Sequence, residues 1–314
     1  MNLKEIHVPV LLKEVLHYLN LKQGDIIFDG TLGGAGHTIE IIKAIAPTGK
    51  VIGVDLHCQT ISTAASKLKD FSENIVLVND NFANIKKILK RINIKSIDGM
   101  LLDLGLSSFL IEKSKRGFSY LKNEKLDMRF GNGDYISAFD VVNEYPEGKL
   151  TEIFQKYGEE RWSKSIAKNI VNYRKTVDIK TTGELVEIIK DSIPQKFKYD
   201  RRGHPAKRIF QAIRMEVNKE LDNLKMAIED GFKMLKSGGR MVIISYHSLE
   251  DRMVKSSFLE YEGRCTCPPD FPVCKCGREK RAEIITKKVV RPGFEEITSN
   301  PRSKNARLRV LEKL

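Results

Sequence analysis

Short apolar runs and amphipathic stretches alternate along the first third of the chain. "IIFD", "VIGVD", "IVLVN" and "DGMLLDLG" are β-branched and bounded by turn formers, the pattern of strands buried in a parallel sheet. Between them lie stretches with helical spacing: "NFANIKKILKRIN" sets Phe82, Ile85, Ile88, Leu89 and Ile92 on one face. This β-α-β-α-β-α-β order predicts an α/β fold with a doubly wound sheet. After Gly105 the alternation stops, and residues 109–208, with stretches such as "YGEERWSKSIAKNIVNYR", read as an inserted helical domain. The sheet-forming core then comprises residues 1–108 and 209–314. Within residues 209–314 a single long amphipathic helix through Ile213, Val217, Leu221, Leu224, Ile228, Phe232 and Leu235 is expected to stop at "KSGGR", with Gly238 and Gly239 as its C-cap. A strand "RMVIISY", a helix from Ser248, a Cys/Pro-rich loop and a closing strand "ARLRVLEKL" follow.

The first strand runs into "FDGTLGGAGHT", where Gly30, Gly33, Gly34 and Gly36 crowd one strand-to-helix turn. Such a cluster implies backbone with positive φ, a ligand lying against the main chain, or both. The second strand ends at Asp55, where an acidic residue binds ribose hydroxyls in this architecture. A dinucleotide fingerprint needs a small residue three places after its second glycine, and Ile39 stands there; a phosphate-binding loop needs Gly-Lys-Ser/Thr, which is missing. The pattern therefore suits a nucleoside cofactor with no pyrophosphate to cradle, of which S-adenosylmethionine is the common one. The third and fourth strands end at Phe82 and Asp103, facing the same crevice. Phe82 either covers an adenine ring or belongs to the core stripe of its helix; Asp103 either serves the reaction or caps a turn.

Charge divides the chain unevenly. Through Leu106 there are 12 Lys/Arg against 11 Asp/Glu, so +12 of the formal +13 lies beyond that point. An excess of this size suits a polyanionic partner or a solvated lysine-rich surface. The densest stretch, "KFKYDRRGHPAKRIFQAIR", holds seven Lys/Arg against one Asp, with aromatic residues interleaved. Arg201, Arg202, Lys207, Arg208 and Arg214 are its candidate RNA contacts, joined by Arg302, Lys304 and Arg307 of "NPRSKNAR". The N-terminal stretch lacks a signal-peptide apolar region and no run reaches membrane-spanning length, so a cytoplasmic protein without a membrane partner is expected. Cys265, Cys267, Cys274 and Cys276 form C-x-C-x6-C-x-C, either four zinc ligands or free thiols. His247 in "SYHSLEDR" either handles protons or contacts the target base, or merely caps the next helix.

Taken in order, "FDGTLGGAGHT", "DGMLLDLGLSS", "RGFSY…LDMRF", "YGEERW…IA", "HPAKRIFQAIRMEVN", "ISYHSLEDRMVK" and "NPRSKNARLRVLE" resemble the RsmH or MraW family of bacterial small-subunit rRNA cytosine-N4 methyltransferases. The resemblance implies a Rossmann-like class I methyltransferase core with an inserted helical domain, S-adenosylmethionine as methyl donor, and a cytidine of the 16S rRNA decoding centre, in free rRNA or the small ribosomal subunit, as substrate. It implies cofactor contacts at Gly34, Ala35, Gly36, His37, Asp55, Phe82 and Asp103. One position departs from the family's pattern: Leu110 stands where a glutamine is usual. Cytosine-N4 chemistry fits the residues, because a delocalised amine needs an oriented acceptor, either Asp103 or a carbonyl in Leu104-Gly105. Carbon-5 methylation would need a cysteine near the ends of strands four or five, and none is there. The competing readings are a non-catalytic RNA-binding or ribosome-assembly protein on the same fold, and an NAD-dependent oxidoreductase.

Overall fold

The computed structural model describes residues 9–105, 114–131, 133, 135–195, 204–265, 267 and 277–314. It divides into two compact units, one formed by residues 1–105 and 221–314 and the other by residues 106–220. The second unit thus runs on to Glu220, beyond the Arg208 boundary read from the sequence.

The first unit holds a seven-stranded sheet. Its strands are β1 (Ile26–Asp29), β2 (Lys50–Asp55), β3 (Ile75–Asn79), β4 (Ile97–Asp103), β5 (Leu235–Ser245), β6 (Ala282–Ile284) and β7 (Arg307–Lys313), in the order β3-β2-β1-β4-β5-β7-β6. The first five strands are parallel, and β7 lies antiparallel between β5 and β6. Residues alternate between two cores along each strand: Phe28, Ile52, Leu102 and Ile243 face one, while Ile27, Val51, Leu101 and Val242 face the other. The first core is closed by α4 (Ile85–Arg91), α10 (Glu220–Met234) and α11 (Ser248–Tyr261). The second is closed by α1 (Leu12–Leu19), α2 (Gly36–Ile45) and α3 (Cys58–Lys67). The unit is therefore a three-layer α/β/α sandwich, the Rossmann-like architecture of class I methyltransferases. Strand order reverses at β1 and β4, so the crevice at their C-terminal ends is where such a sheet binds ligands.

The second unit is helical: α5 (Ala138–Glu144), α6 (Glu147–Lys156), α7 (Ser163–Arg174), α8 (Thr182–Asp191) and α9 (Ala206–Asn218) enclose a core that includes Phe154, Ile166, Leu185 and Ile213. Capping boxes start two of them, Ser137 with Asp140 at α5 and Thr181 with Glu184 at α8. Arg174 donates to the Val142 and Tyr145 carbonyls at the C-terminal end of α5.

The long helix expected through Ile213 and Leu235 is two helices. Lys219 takes a left-handed conformation, φ 49°, which ends α9 before α10 begins. The chain also passes from α10 into β5 at Leu235, so Gly238, φ 77°, lies within a strand and caps no helix. No helix among the described residues is long and apolar enough to cross a membrane.

Candidate active site

Strand register assembles the site. Asp29, the last residue of β1, is aligned with Gly53 on one side and Leu101 on the other. Both neighbouring strands run two residues further, to Asp55 and Asp103, so these two carboxylates bracket the glycine loop. Side chains alternate with a period of two, which puts all three aspartates on the same face of the sheet.

The loop itself turns inward on protein acceptors. Gly30 donates to the Leu101 carbonyl at 3.0 Å, Leu32 to that of Val54 at 2.9 Å and Ala35 to that of Leu32 at 2.8 Å. Thr31 donates to Asp29 Oδ1 at 3.2 Å and Gly33 to Asp55 Oδ2 at 3.0 Å. Five loop amides are thus spent within the protein, so the loop is no phosphate nest. This agrees with a cofactor lacking a pyrophosphate and disfavours NAD. At Gly30 a Cβ would lie 2.5 Å from Leu102 Cδ2 and 2.9 Å from Phe82 Cβ, so close packing between loop and strand ends requires glycine there.

Asp55 also accepts from the His57 amide, at 2.9 Å, so each of its oxygens is oriented by one backbone N–H and keeps a lone pair. Burial raises its pKa, against the lowering effect of those two N–H groups. Asp29 is buried; Thr38 Oγ1 donates to it at 2.5 Å, and burial pushes its carboxyl up. Phe82 opens the 3-10 turn Phe82–Asn84, half-buried against the Phe28 and Leu102 core. His37 is buried with Nε2 2.9 Å from the Val10 carbonyl, and its Nδ1 lies 3.9 Å from Asp103 Oδ2. Burial lowers the His37 pKa. A neutral imidazole that donates Nε2–H to Val10 turns the Nδ1 lone pair toward Asp103, setting two acceptors side by side.

Sequence reasoning missed three contributors. Tyr246 donates its hydroxyl to Asp103 Oδ1 at 2.7 Å, while burial and the Asp103 charge raise the phenol's pKa far above its ordinary value. Thr31 Oγ1 accepts from the Asp103 amide at 2.6 Å, tying β4 to the loop after β1. Asp29 anchors the loop to Thr38 of α2. The strand end "DG" hints at the last; Tyr246 and Thr31 required the register.

Several of the other expected residues have partners of their own. His247 is the N-cap of α11 and forms a capping box with Glu250, as the capping alternative expected. The guanidinium of Arg214 is bonded bidentately to Glu220, at 2.7 and 2.8 Å, with both side chains mostly buried. Arg208 faces Glu160 at 3.5 Å, and Arg307 shares Asp251 with Arg309. Lys207, Arg302 and Lys304 are exposed. Cys267 donates its amide to Cys265 Sγ at 3.4 Å. Arg201, Arg202, Leu110, Cys274 and Cys276 lie outside the described residues.

The residues fit S-adenosylmethionine: Asp55, Asp103 and neutral His37 offer acceptors to a cation bearing ribose hydroxyls, and the loop withholds its amides from phosphate. The MraW methylase family model matches residues 4–314. The chain belongs to the MraW methylase family. Within it, the chain is 50% identical over 308 residues to ribosomal RNA small subunit methyltransferase H of Clostridium botulinum strain Loch Maree, covering 98% of this chain and 99% of that protein. The namesake from Halothermothrix orenii is also 50% identical, covering 98% of each. Among solved structures, an rRNA methylase from Streptococcus thermophilus aligns over 96% of this chain and 93% of its own, with 13% identity and a TM-score of 0.43. That likeness is too low to bear on activity.

Proposed function

We propose that this MraW methylase catalyses methylation of the exocyclic N4 of a cytidine in the 16S rRNA decoding centre, acting in the cytoplasm on the rRNA or the small ribosomal subunit. Family membership supports the reaction class, and the small-subunit rRNA named for its relatives supports the substrate. The observation that carries the cytosine-N4 reading is the acceptor pair of Asp103 Oδ2 and His37 Nδ1, 3.9 Å apart. An exocyclic amine has two N–H donors and a lone pair spread into its ring. Hydrogen bonding to a fixed carboxylate orients it and returns electron density to nitrogen.

In this reading Ala35, Gly36 and His37, with Gly34, hold the cofactor along the loop, Asp55 takes its ribose hydroxyls and Phe82 its base. When bound, S-adenosylmethionine supplies an electrophilic methyl group on a sulfonium. Asp103 Oδ2 accepts a hydrogen bond from the target amine and takes the proton that the amine sheds. Tyr246 donates to Oδ1, while Oδ2 lies on the His37 side. His37, kept neutral by burial, adds no positive charge beside the sulfonium.

The experiment is nucleoside mass spectrometry of small-subunit rRNA. Deleting the gene should abolish one N4-methylated cytidine, the parent gene should restore it, and Asp103→Asn should not. Persistence of that nucleoside in the deletion strain would refute the reading.

A further inference from the structure

Basic charge in the helical unit lies in two segments. Residues 161–180 hold six Lys/Arg against one Asp and residues 196–214 seven against one, while residues 106–220 as a whole hold 23 against 17. Helix α7, "SKSIAKNIVNYR", contains no carboxylate at all. Its buried face is formed by Ser163, Ile166, Ala167 and Ile170. At about 100° per residue, Lys164, Lys168 and Lys175 fall within a stripe about 40° wide opposite that face, and the stripe continues into Arg161 just before the helix. All four side chains are exposed.

On neighbouring helices Lys149 pairs with Glu152 and Lys190 with Glu187. Lys164 and Lys168 form no ion pair among the described residues. Arg174, the remaining cation of the helix, is turned away from the stripe to the α5 carbonyls. Arg161 lies over the Trp162 ring at 4.7 Å, so a guanidinium plane and an indole stand at one end of the stripe. From Lys164 to Lys175 the stripe runs about 16 Å at 1.5 Å rise per residue.

We infer that this face of α7 is a phosphate track for the RNA substrate, with Arg161 and Trp162 offering a stacking surface at its end. Lys164 and Lys168, one turn apart, repel each other in the free protein, and a polyanion relieves that repulsion. Guanidinium and aromatic planes are what unstacked bases rest on in RNA complexes. The inference rests on the rRNA reading above and assigns a binding surface to α7 rather than to the Lys196–Arg214 stretch that the sequence favoured.

The test uses the full-length protein and unmodified small-subunit rRNA from a deletion strain, with affinity measured across a KCl series. Lys164→Gln/Lys168→Gln should weaken binding and reduce the slope of log K against log salt by about 1.4 to 1.8, since each lost phosphate contact removes about 0.7 on a single strand and about 0.9 on a duplex. Lys190→Gln should leave the slope at the parent's value, and calorimetric S-adenosylmethionine affinity should be the same in all three proteins. Circular dichroism verifies that the variants are folded, and Lys164→Arg/Lys168→Arg should restore the parent slope. A folded double Gln variant with the parent's slope overturns the α7 track while leaving the rRNA reading intact. A parent protein that neither binds nor methylates the rRNA overturns both.

Discussion

The hydroxyl of Tyr246 donates a 2.7 Å hydrogen bond to Oδ1 of Asp103, although the two residues are 143 positions apart in sequence. The β4–β5 register creates the pair: Asp103 is aligned with Ile244, and Tyr246 follows two residues later at the end of the next strand. The bond determines which Asp103 oxygen faces His37. Tyr246→Phe keeps the ring and removes only the donor. A hydrogen bond to a charged group contributes about 1.5 to 3 kcal/mol, so kcat should fall about tenfold to a hundredfold with little change in cofactor Kd. Single-turnover rates at saturating cofactor, paired with calorimetry, check this; equal losses in both would assign Tyr246 to cofactor binding instead.

Gly105 sets the room available to that tyrosine. Its φ is 146°, and a Cβ there would lie 3.0 Å from Tyr246 Cδ2. Gly105→Ala should therefore displace the ring from Asp103 and destabilise the fold by about 1 to 3 kcal/mol, the usual cost of overpacking. Its rate loss should not add to that of Tyr246→Phe, because both act through one hydrogen bond. A double variant whose rate loss is the product of the two single losses would separate the two residues.

Asp55 carries a structural duty besides its proposed ribose contact. Both oxygens accept backbone N–H bonds, from Gly33 and His57. Asp55→Asn must turn an NH2 group toward one of those amides, so the glycine loop loses a tether. The expected outcome is a fall in S-adenosylmethionine affinity of about tenfold to a hundredfold, on the scale of a charged hydrogen bond, together with a lower Tm. Calorimetry and thermal melts measure the two separately. Unchanged cofactor affinity in a folded variant would remove Asp55 from the cofactor site.

Strand ends were readable because β-branched runs stop at charged residues, which is how Asp55 and Asp103 stood out. The helical insert was readable because residues after Gly105 change period. The Tyr246–Asp103 bond depends instead on which strands become neighbours, and a sequence read one element at a time does not supply that. The break at Lys219 was hidden for another reason: apolar spacing continues through it, and a lysine with positive φ leaves no compositional mark. The same bend brings Glu220 to Arg214, a spacing of six that no continuous helix places face to face. Charge density in sequence also leaves partners unseen: Arg208 and Arg214, within the basic Lys196–Arg214 stretch, each face a carboxylate.

His37 gives the protein an acid-sensitive element. Around it stand Asp29, Asp103 and Glu296, which favour its protonation, yet burial dominates and lowers its pKa. An unfolded histidine titrates near 6.5, so below that pH the unfolded chain binds a proton that the folded protein refuses. The stability due to neutral His37 is therefore complete above about pH 6.5 and is lost as pH falls, at up to about 1.4 kcal/mol per unit. His37→Gln, which retains a donor for the Val10 carbonyl, should flatten that slope. Urea unfolding from about pH 7.5 to 5.5 compares the two; parallel curves would mean that His37 titrates alike in both states.

Arg214 and Lys164 should separate structure from RNA contact. The Arg214–Glu220 pair is bidentate, and its side chains are 14% and 12% exposed. Removing one partner of such a pair strands the other charge out of water, which costs about 3 to 5 kcal/mol when burial is complete and less here. Arg214→Gln should thus lower the urea midpoint strongly while the protein that remains folded keeps the parent's salt slope for rRNA. Replacing both partners, as Arg214→Met/Glu220→Leu, should recover much of the stability, because no orphaned charge remains. Lys164→Gln should do the reverse, leaving the unfolding free energy within about 0.5 kcal/mol of the parent's, as exposed sites usually do, and flattening the salt slope. If Arg214→Gln is fully stable and flattens the slope instead, its guanidinium leaves Glu220 to meet phosphate, and the RNA path runs along α9.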